Sequence, residues 1–223
     1  MTDNSSVKTD KFTILIVDDH PIVCRGLREL VADEPDLEVC GEAEDVSGAL
    51  QRVKSLRPDV VVIDLSLKGG HGLELIQEIK AGNEHIKMLV SSMHDESLYA
   101  ERVLRAGAMG YISKQESPDK IVGALRQVLR GEIYLSSRMS NRLLHRLTSG
   151  QSFGSSPIDN LSDRELQVFE MIGQGLATKE IALKLDLSRK TIEAHREKIK
   201  SKLNLKTGTE LSRHATQWVL ENT

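Results

Sequence analysis

The sequence predicts two domains of different class. Residues 11–133 read as an α/β doubly wound domain on a five-stranded parallel sheet, and residues 159–223 as a separate all-α domain of four helices, with residues 134–158 as a linker. Three observations carry this. Apolar β-branched runs alternate with stretches of helical periodicity in the first part. A Ser-, Gly- and Pro-rich stretch then interrupts the chain. Beyond it the patterning is helical, and the charge changes sign.

In chain order, the first strand is Ile14–Val17, and the clearest later ones are Val60–Ile63 and Met88–Val90, with weaker runs at Leu37–Cys40 and Met109–Ile112. Between them, Val23-Leu27-Leu30-Val31, Val46-Leu50-Val53, Leu73-Ile76-Ile79 and Leu98-Arg102-Leu104 have helical spacing. A fifth helix, Ile121-Leu125-Val128, follows Ser117-Pro118, an N-cap and then proline in the first turn. Strands apolar throughout and separated by helices imply a parallel sheet covered on both faces. Five such units in about 120 residues fit a small flavodoxin-like domain.

Residues 136–147 have room for one short helix, and 149-SGQSFGSSPIDN-160 reads as a flexible connection. Ser162 with Glu165 forms a capping box for the next helix, which Gly173 and Gly175 end. Thr178 is placed to cap a short second helix, Ser188 a third that runs to about Leu203, and Thr207 with Glu210 a fourth. On the third, Ile192, Ile199 and Leu203 share a face, with His195 or Arg196 between them, and the remaining residues are polar. Helix, tight turn and helix with a polar outer face is the helix-turn-helix pattern. Leu211, Ala215 and Val219 on the fourth form either a dimer seam or a packing face.

Residues 1–133 hold 16 Lys+Arg against 23 Asp+Glu, a net of −7, whereas residues 134–223 hold 14 against 10, a net of +4. The basic half suits a polyanion partner. With no apolar run of about 18 residues, no membrane span is expected, and the polar start MTDNSSVKTD reads as a disordered tail rather than a secretory signal. Cys24 and Cys40 are expected to be two buried reduced thiols in a cytoplasmic protein.

The chemistry is legible at the strand ends. In a doubly wound sheet, ligands bind beyond the carboxyl ends of the strands, where strand order reverses. There the first strand delivers Asp18 and Asp19, the third Asp64, the fourth Ser91 and Ser92, and the fifth Lys114, with Tyr111 three residues before it. Three close carboxylates cannot all stay ionised without a cation. Lys114 supplies one positive charge, and a hard divalent ion held by oxygens, Mg²⁺, supplies two more. Such a crevice suits a phosphoryl group, a carboxylate there can become an aspartyl phosphate, and Lys114 and Ser92 are the donors to its oxygens. Ser92 competes for a second role as cap of the turn at Asp95-Glu96. His20, before Pro21, reads as a packing or capping residue more than a ligand.

The stretches 17-VDDHPIVCRGLREL-30, 59-DVVVIDLSL-67, 92-SMHDESLYAERVLRAGAMGYISK-114 and 161-LSDRELQVFEMIGQGLATKEIALKLDLSRKTIEAHREKIKSKL-203 together resemble a two-component response regulator of the NarL/FixJ type, a CheY-like receiver joined to a LuxR-type helix-turn-helix domain. The resemblance implies that Asp64 is the phosphoacceptor, that Asp18 and Asp19 help to hold Mg²⁺ with Asp64 and the Ser66 carbonyl, and that Lys114 pairs with the phosphate. It makes Ser92 and Tyr111 the switch hydroxyl and switch aromatic, and the helix from Arg189 the recognition helix. It further implies a sensor histidine kinase as donor and double-stranded DNA as target, bound as a homodimer. On that helix and its neighbour, Lys179, Lys190, His195, Lys198 and Lys202 are expected to contact DNA phosphates, and Thr191, Glu193, Ala194 and Glu197 to read bases. One departure is Lys68 where the family usually has proline, followed by Gly69-Gly70-His71-Gly72, so this loop is expected to be looser and more basic.

Three rival readings have separate signatures. A phosphotransferase acting on small molecules would need a substrate pocket and a second catalytic acid. A flavin-binding protein would not place an acidic loop where the flavin phosphate sits. A regulator whose C-terminal helices bind protein instead of DNA would lack salt-sensitive binding to a duplex.

Overall fold

The computed structural model describes residues 11–68, 70–148 and 157–222. The tail MTDNSSVKTD, Gly69 and residues 149–156 of the expected linker lie outside the described residues. The chain divides into two compact units between Leu135 and Ser136.

In the first unit β1 (Phe12–Val17), α1 (Pro21–Ala32), β2 (Leu37–Ala43), α2 (Val46–Leu56) and β3 (Val60–Ile63) lead to two short strands, β4 (Ser66–Leu67) and β5 (Gly70–His71). There follow α3 (Gly72–Gly82), β6 (Lys87–Ser92), α4 (Glu96–Ala106), β7 (Gly110–Ser113) and α5 (Pro118–Leu129). The main sheet has the order β2-β1-β3-β6-β7, and its paired strands are all parallel. After β1 the chain first adds a strand on one side and then crosses to the other, so the order reverses between β1 and β3.

The β3 residues Val60, Val61, Val62 and Ile63 are all buried, as a strand covered on both faces requires. One side of the sheet packs Ile14, Ile16, Val60, Val62 and Leu89 against Leu27 and Val31 of α1 and Leu125 and Val128 of α5. Arg126 of α5 reaches Asp36 at 2.6 Å and also engages Glu34, tying that helix to the loop before β2. Helix α4 differs from expectation by a small rotation: Tyr99, Ala100 and Val103 are its buried residues, while Leu98 and Leu104 are only half-buried. Tyr99, which lies outside the expected Leu98-Arg102-Leu104 pattern, is a fully buried aromatic.

The second unit holds α6 (Ser137–Thr148), a 3-10 turn (Pro157–Asn160), α7 (Asp163–Gly173), α8 (Thr178–Lys184), α9 (Arg189–Lys202) and α10 (Gly208–Asn222). The Ser162–Glu165 capping box is present in full, and Ser188 accepts from the Thr191 amide at 3.0 Å. Two caps differ. The N-cap of α8 is Ala177, whose amide donates to Glu180 at 2.7 Å, and Thr178 is the first helical residue. Thr207 caps α10 as expected, accepting from the Glu210 amide at 3.1 Å, but Glu210 reaches back to the Lys206 amide instead of that of Thr207.

The core joins Leu166, Phe169, Ile181, Ile192, Ile199, Leu211 and Ala215, with the Phe169 ring 5.6 Å from that of Trp218. Leu211 and Ala215 are fully buried within this unit, and a Cβ on Gly173 would lie 2.5 Å from both Ala215 O and Val219 Cγ2. That face of α10 is therefore a packing face and not a dimer seam.

Candidate functional site

The carboxyl ends of β1 and β3 carry Asp18 and Asp64, each 3 % exposed. Neighbouring main chain fixes both: the Asp18 amide donates to Ala43 O at 3.0 Å, and the Asp64 amide to Val17 O at 2.9 Å. Gly72 closes in behind Asp64; a Cβ there would lie 2.3 Å from Asp64 O, so no larger residue fits. Lys114 follows β7, its amide donating to Ser92 O at 2.9 Å. This aims its ammonium 2.6 Å from Asp18 Oδ2 and 2.9 Å from Asp64 Oδ2.

Two buried carboxylates share one ammonium. Burial pushes the Asp64 carboxyl above the usual range; Lys114 pulls it down and Asp18 pushes it up again. Burial acts to discharge Lys114, but Asp64 and Asp18 outweigh it and hold its pKa above the ordinary lysine value. Excess negative charge in low dielectric favours either a bound cation or a protonated carboxyl.

The donor set fits a divalent ion. One ligand atom each from Asp18, Asp19, His20 and Asp64 lies within 4.8 Å of the others. Asp19 Oδ1 is buried without a well-aligned hydrogen bond, although His20 Nδ1 stands 2.8 Å away. Hard oxygen donors of this kind suit Mg²⁺. His20 differs from expectation: it makes no side-chain cap on α1, and its Nδ1 turns back to the carboxylates, 3.2 Å from Asp18 Oδ1.

The other expected residues stand around this centre. Ser92 is fully buried; its Oγ accepts weakly from the His94 amide at 3.4 Å, and Asp95, not Ser92, caps α4. Tyr111 is fully buried and its hydroxyl donates to His94 O at 2.6 Å. The Ser66 side chain bonds His94 Nε2 at 2.9 Å. His94 carried no signal in the sequence, because its partners lie far away in the chain. Around Lys68, Ser66 pairs with His71, Leu67 with Gly70, and Lys68 Nζ meets Glu44 Oε2 at 3.0 Å. Cys24 is buried and donates to Asp18 O at 3.4 Å; burial and Asp18 push its thiol up to about 11. Cys40 is only half-buried, its thiol 3.3 Å from Ile14 O.

In the second unit Lys179, Lys190, Glu193, Ala194, Glu197 and Lys198 are exposed on α8 and α9. Thr191 is half-buried and shares a 2.8 Å hydrogen bond with Ser188. Glu193 accepts from Thr178 at 2.9 Å, bracing α9 against α8. Two of the expected phosphate contacts sit differently. Lys202 directs its ammonium to Glu165 at 2.7 Å and to Asn160 O at 3.0 Å, closing the end of α9 onto the start of α7. His195 is half-buried; burial, Lys198 and Arg164 hold its imidazole below the usual value, which favours the neutral ring over a cation for phosphate.

Residues 14–126 match the family described as "Response regulator receiver domain", and residues 159–215 match "Bacterial regulatory proteins, luxR family". The oxygen regulatory protein NreC of Staphylococcus carnosus is 38 % identical over 207 residues, covering 91 % of this chain and 95 % of that protein. A structure of RcsB from Salmonella enterica serovar Typhimurium, bound to promoter rprA in the presence of phosphomimetic BeF3-, is 28 % identical with a TM-score of 0.62, over 93 % of this chain and 99 % of that one. A structure of two RcsB dimers bound to two parallel DNAs gives 28 % and 0.56, over 93 % and 98 %.

Proposed function

Because the chain belongs to the response regulators that join a receiver domain to a luxR-family DNA-binding domain, the NarL/FixJ type, we propose that Asp64 is the phosphoacceptor through which a sensor histidine kinase controls transcription. The observation that carries this reading is Lys114 held between the buried carboxylates of Asp18 and Asp64. We take residues 11–133 as the receiver domain and 159–223 as the DNA-binding domain, with 134–158 joining them.

A carboxylate oxygen of Asp64 attacks the phosphorus of the donor's phosphohistidine; the new O–P bond forms as the N–P bond breaks, and the imidazole nitrogen keeps the electron pair. Asp18, Asp19, Asp64 and the Ser66 carbonyl would hold Mg²⁺, which supplies charge neutralisation for the phosphoryl oxygens. Lys114 moves from the shared carboxylates to the new phosphoryl oxygens, a charge-assisted pairing. Ser92 donates its hydroxyl to a second oxygen, and Tyr111, behind it, reports the change to the face of α4. The chain's own catalysis is confined to phosphorylation and dephosphorylation at Asp64.

On DNA, Lys179, Lys190 and Lys198 contact phosphates, and Thr191, Glu193, Ala194 and Glu197 face the bases. Lys202 and His195 are assigned to the fold of the unit. RcsB dimers on DNA support binding as a homodimer, each copy placing α9 in one half-site. With the buried face of α10 used within its own unit, the dimer seam falls to its outer face, which presents Arg213, Thr216 and the exposed Leu220. We take the protein to act in the cytoplasm, beside its proposed kinase donor. Among the described residues no helix is long and apolar enough to cross a membrane.

The test is chemical. Incubation with acetyl phosphate and Mg²⁺ adds one phosphoryl group, mapped to Asp64 by peptide mass spectrometry after borohydride trapping. Asp64→Asn takes up none; label on another residue contradicts the assignment.

A further inference from the structure

We propose that the His94 imidazole is a positioning group that holds the Tyr111 side chain buried before any phosphoryl group arrives. The inference rests on the reading of Asp64 and Tyr111 given above and adds a residue to that switch.

A buried phenol needs an acceptor for its hydroxyl. Tyr111 finds it in the carbonyl of His94, in the short segment between β6 and α4. The buried position of Tyr111 therefore depends in part on the placement of that carbonyl. Local main-chain anchoring of the segment is uneven: the His94 amide makes a long 3.4 Å bond to Ser92 Oγ, and the short 2.6 Å bond from Ser97 N to Asp95 acts one residue further on. The His94 side chain adds an anchor from outside the segment. Its Nε2 lies 2.9 Å from Ser66 Oγ, two residues beyond Asp64, and its ring centroid lies 4.8 Å from that of Tyr99, which is fully buried in α4. One residue thus joins the loop after the phosphoacceptor, the core of α4 and the hydroxyl of Tyr111.

The consequence is a shifted resting equilibrium. A receiver in which Tyr111 is already held inward needs less differential binding from the phosphoryl group to complete the switch. Breaking the Ser66–His94 bond frees the carbonyl to move and releases Tyr111 toward solvent.

The full chain contains three tyrosines, Tyr99, Tyr111 and Tyr134, so incorporation of 3-fluorotyrosine gives three ¹⁹F resonances, assigned by Tyr111→Phe. Without phosphodonor, His94→Ala is expected to lower the buried-to-exposed ratio of Tyr111 about five-fold, the effect of one net hydrogen bond. His94→Gln, whose amide nitrogen can reach Ser66, restores most of the ratio. Ser66→Ala, which leaves the ring in place and keeps the proposal testable if His94→Ala folds poorly, reproduces the loss, and the double variant adds nothing further.

A Tyr111 resonance unchanged in Ser66→Ala, or two single effects that add in full, overturns the proposal. Failure of acetyl phosphate to modify Asp64 in the parent chain would instead sink the functional reading, and it is measured separately from the donor-free ¹⁹F spectrum.

Discussion

The Lys114 ammonium lies 2.9 Å from Asp64 Oδ2, and both side chains are more than nine-tenths buried. Asp18 is closer still to that ammonium, at 2.6 Å, so the three groups carry unequal charge, two negative against one positive. Removing the single cation leaves buried carboxylates facing each other, at a cost of about 3–5 kcal/mol. Lys114→Met should therefore lower the receiver transition in calorimetry without divalent ion. Asp64→Asn removes the excess charge and should raise that transition, by on the order of 1 kcal/mol. Opposite signs from two members of one ion cluster are the check; equal destabilisation would refute the charge argument.

Metal binding follows the same electrostatics. Mg²⁺ should stabilise the receiver transition of the parent chain by about 2.7 kcal/mol when present at 100 times its dissociation constant. Asp19→Asn, which alters the poorly satisfied oxygen, should reduce that gain, and chelation by EDTA should abolish it. Titrated calorimetry separates the two, because the apo transitions of parent and Asp19→Asn can be compared directly.

The lysines of the second unit divide by role. Lys190→Ala and Lys198→Ala should each weaken duplex binding and reduce the salt slope by about one. Lys202→Met should leave the slope unchanged and instead destabilise the unit, because its ammonium is already spent on Glu165. Fluorescence anisotropy across a salt series, paired with a thermal melt followed through Trp218, reads both effects.

The Glu165 carboxyl also gives that unit a pH dependence. Burial acts to raise its pKa, but the hydrogen bonds from Lys202 and from the Ser162 amide prevail, so it lies below the usual glutamate range. A carboxylate lowered by folding contributes stability that is complete above its unfolded value, about 4.3, and is lost as the pH falls through the folded value. Melts followed at Trp218 should fall slightly from pH 7 to 5, because the His195 imidazole is held below its ordinary value and the unfolded chain binds more protons there, and should fall further below that as Glu165 is protonated. In Glu165→Gln the acid-side fall should shrink by roughly 1 kcal/mol.

How much the sequence disclosed follows the range of each interaction. Asp18, Asp64 and Lys114 were legible because strand ends in a doubly wound sheet converge whatever the side chains do. The Ser162–Glu165 cap was legible because its partners are three residues apart. The Ser66–His94 bond spans 28 residues and joins two loops, so no local pattern announces it. Tyr99 was missed because the apolar pattern falls on Leu98 and Leu104, yet it buries its whole ring in α4. Lys202 was expected at a DNA phosphate; that its ammonium meets Glu165, 37 residues earlier, is a tertiary fact no local pattern announces. On α10 the sequence marks an apolar stripe but not which surface covers it, and the close approach of Gly173 decides that.

The central claim is that a phosphoryl group on Asp64 controls DNA binding. Its most direct measurement is the affinity of the full chain for a duplex carrying its half-sites, found by in vitro selection, with and without acetyl phosphate and Mg²⁺. The account predicts tighter binding after treatment and no change in Asp64→Ala. An Asp64→Ala chain that tightened as much as the parent would contradict it.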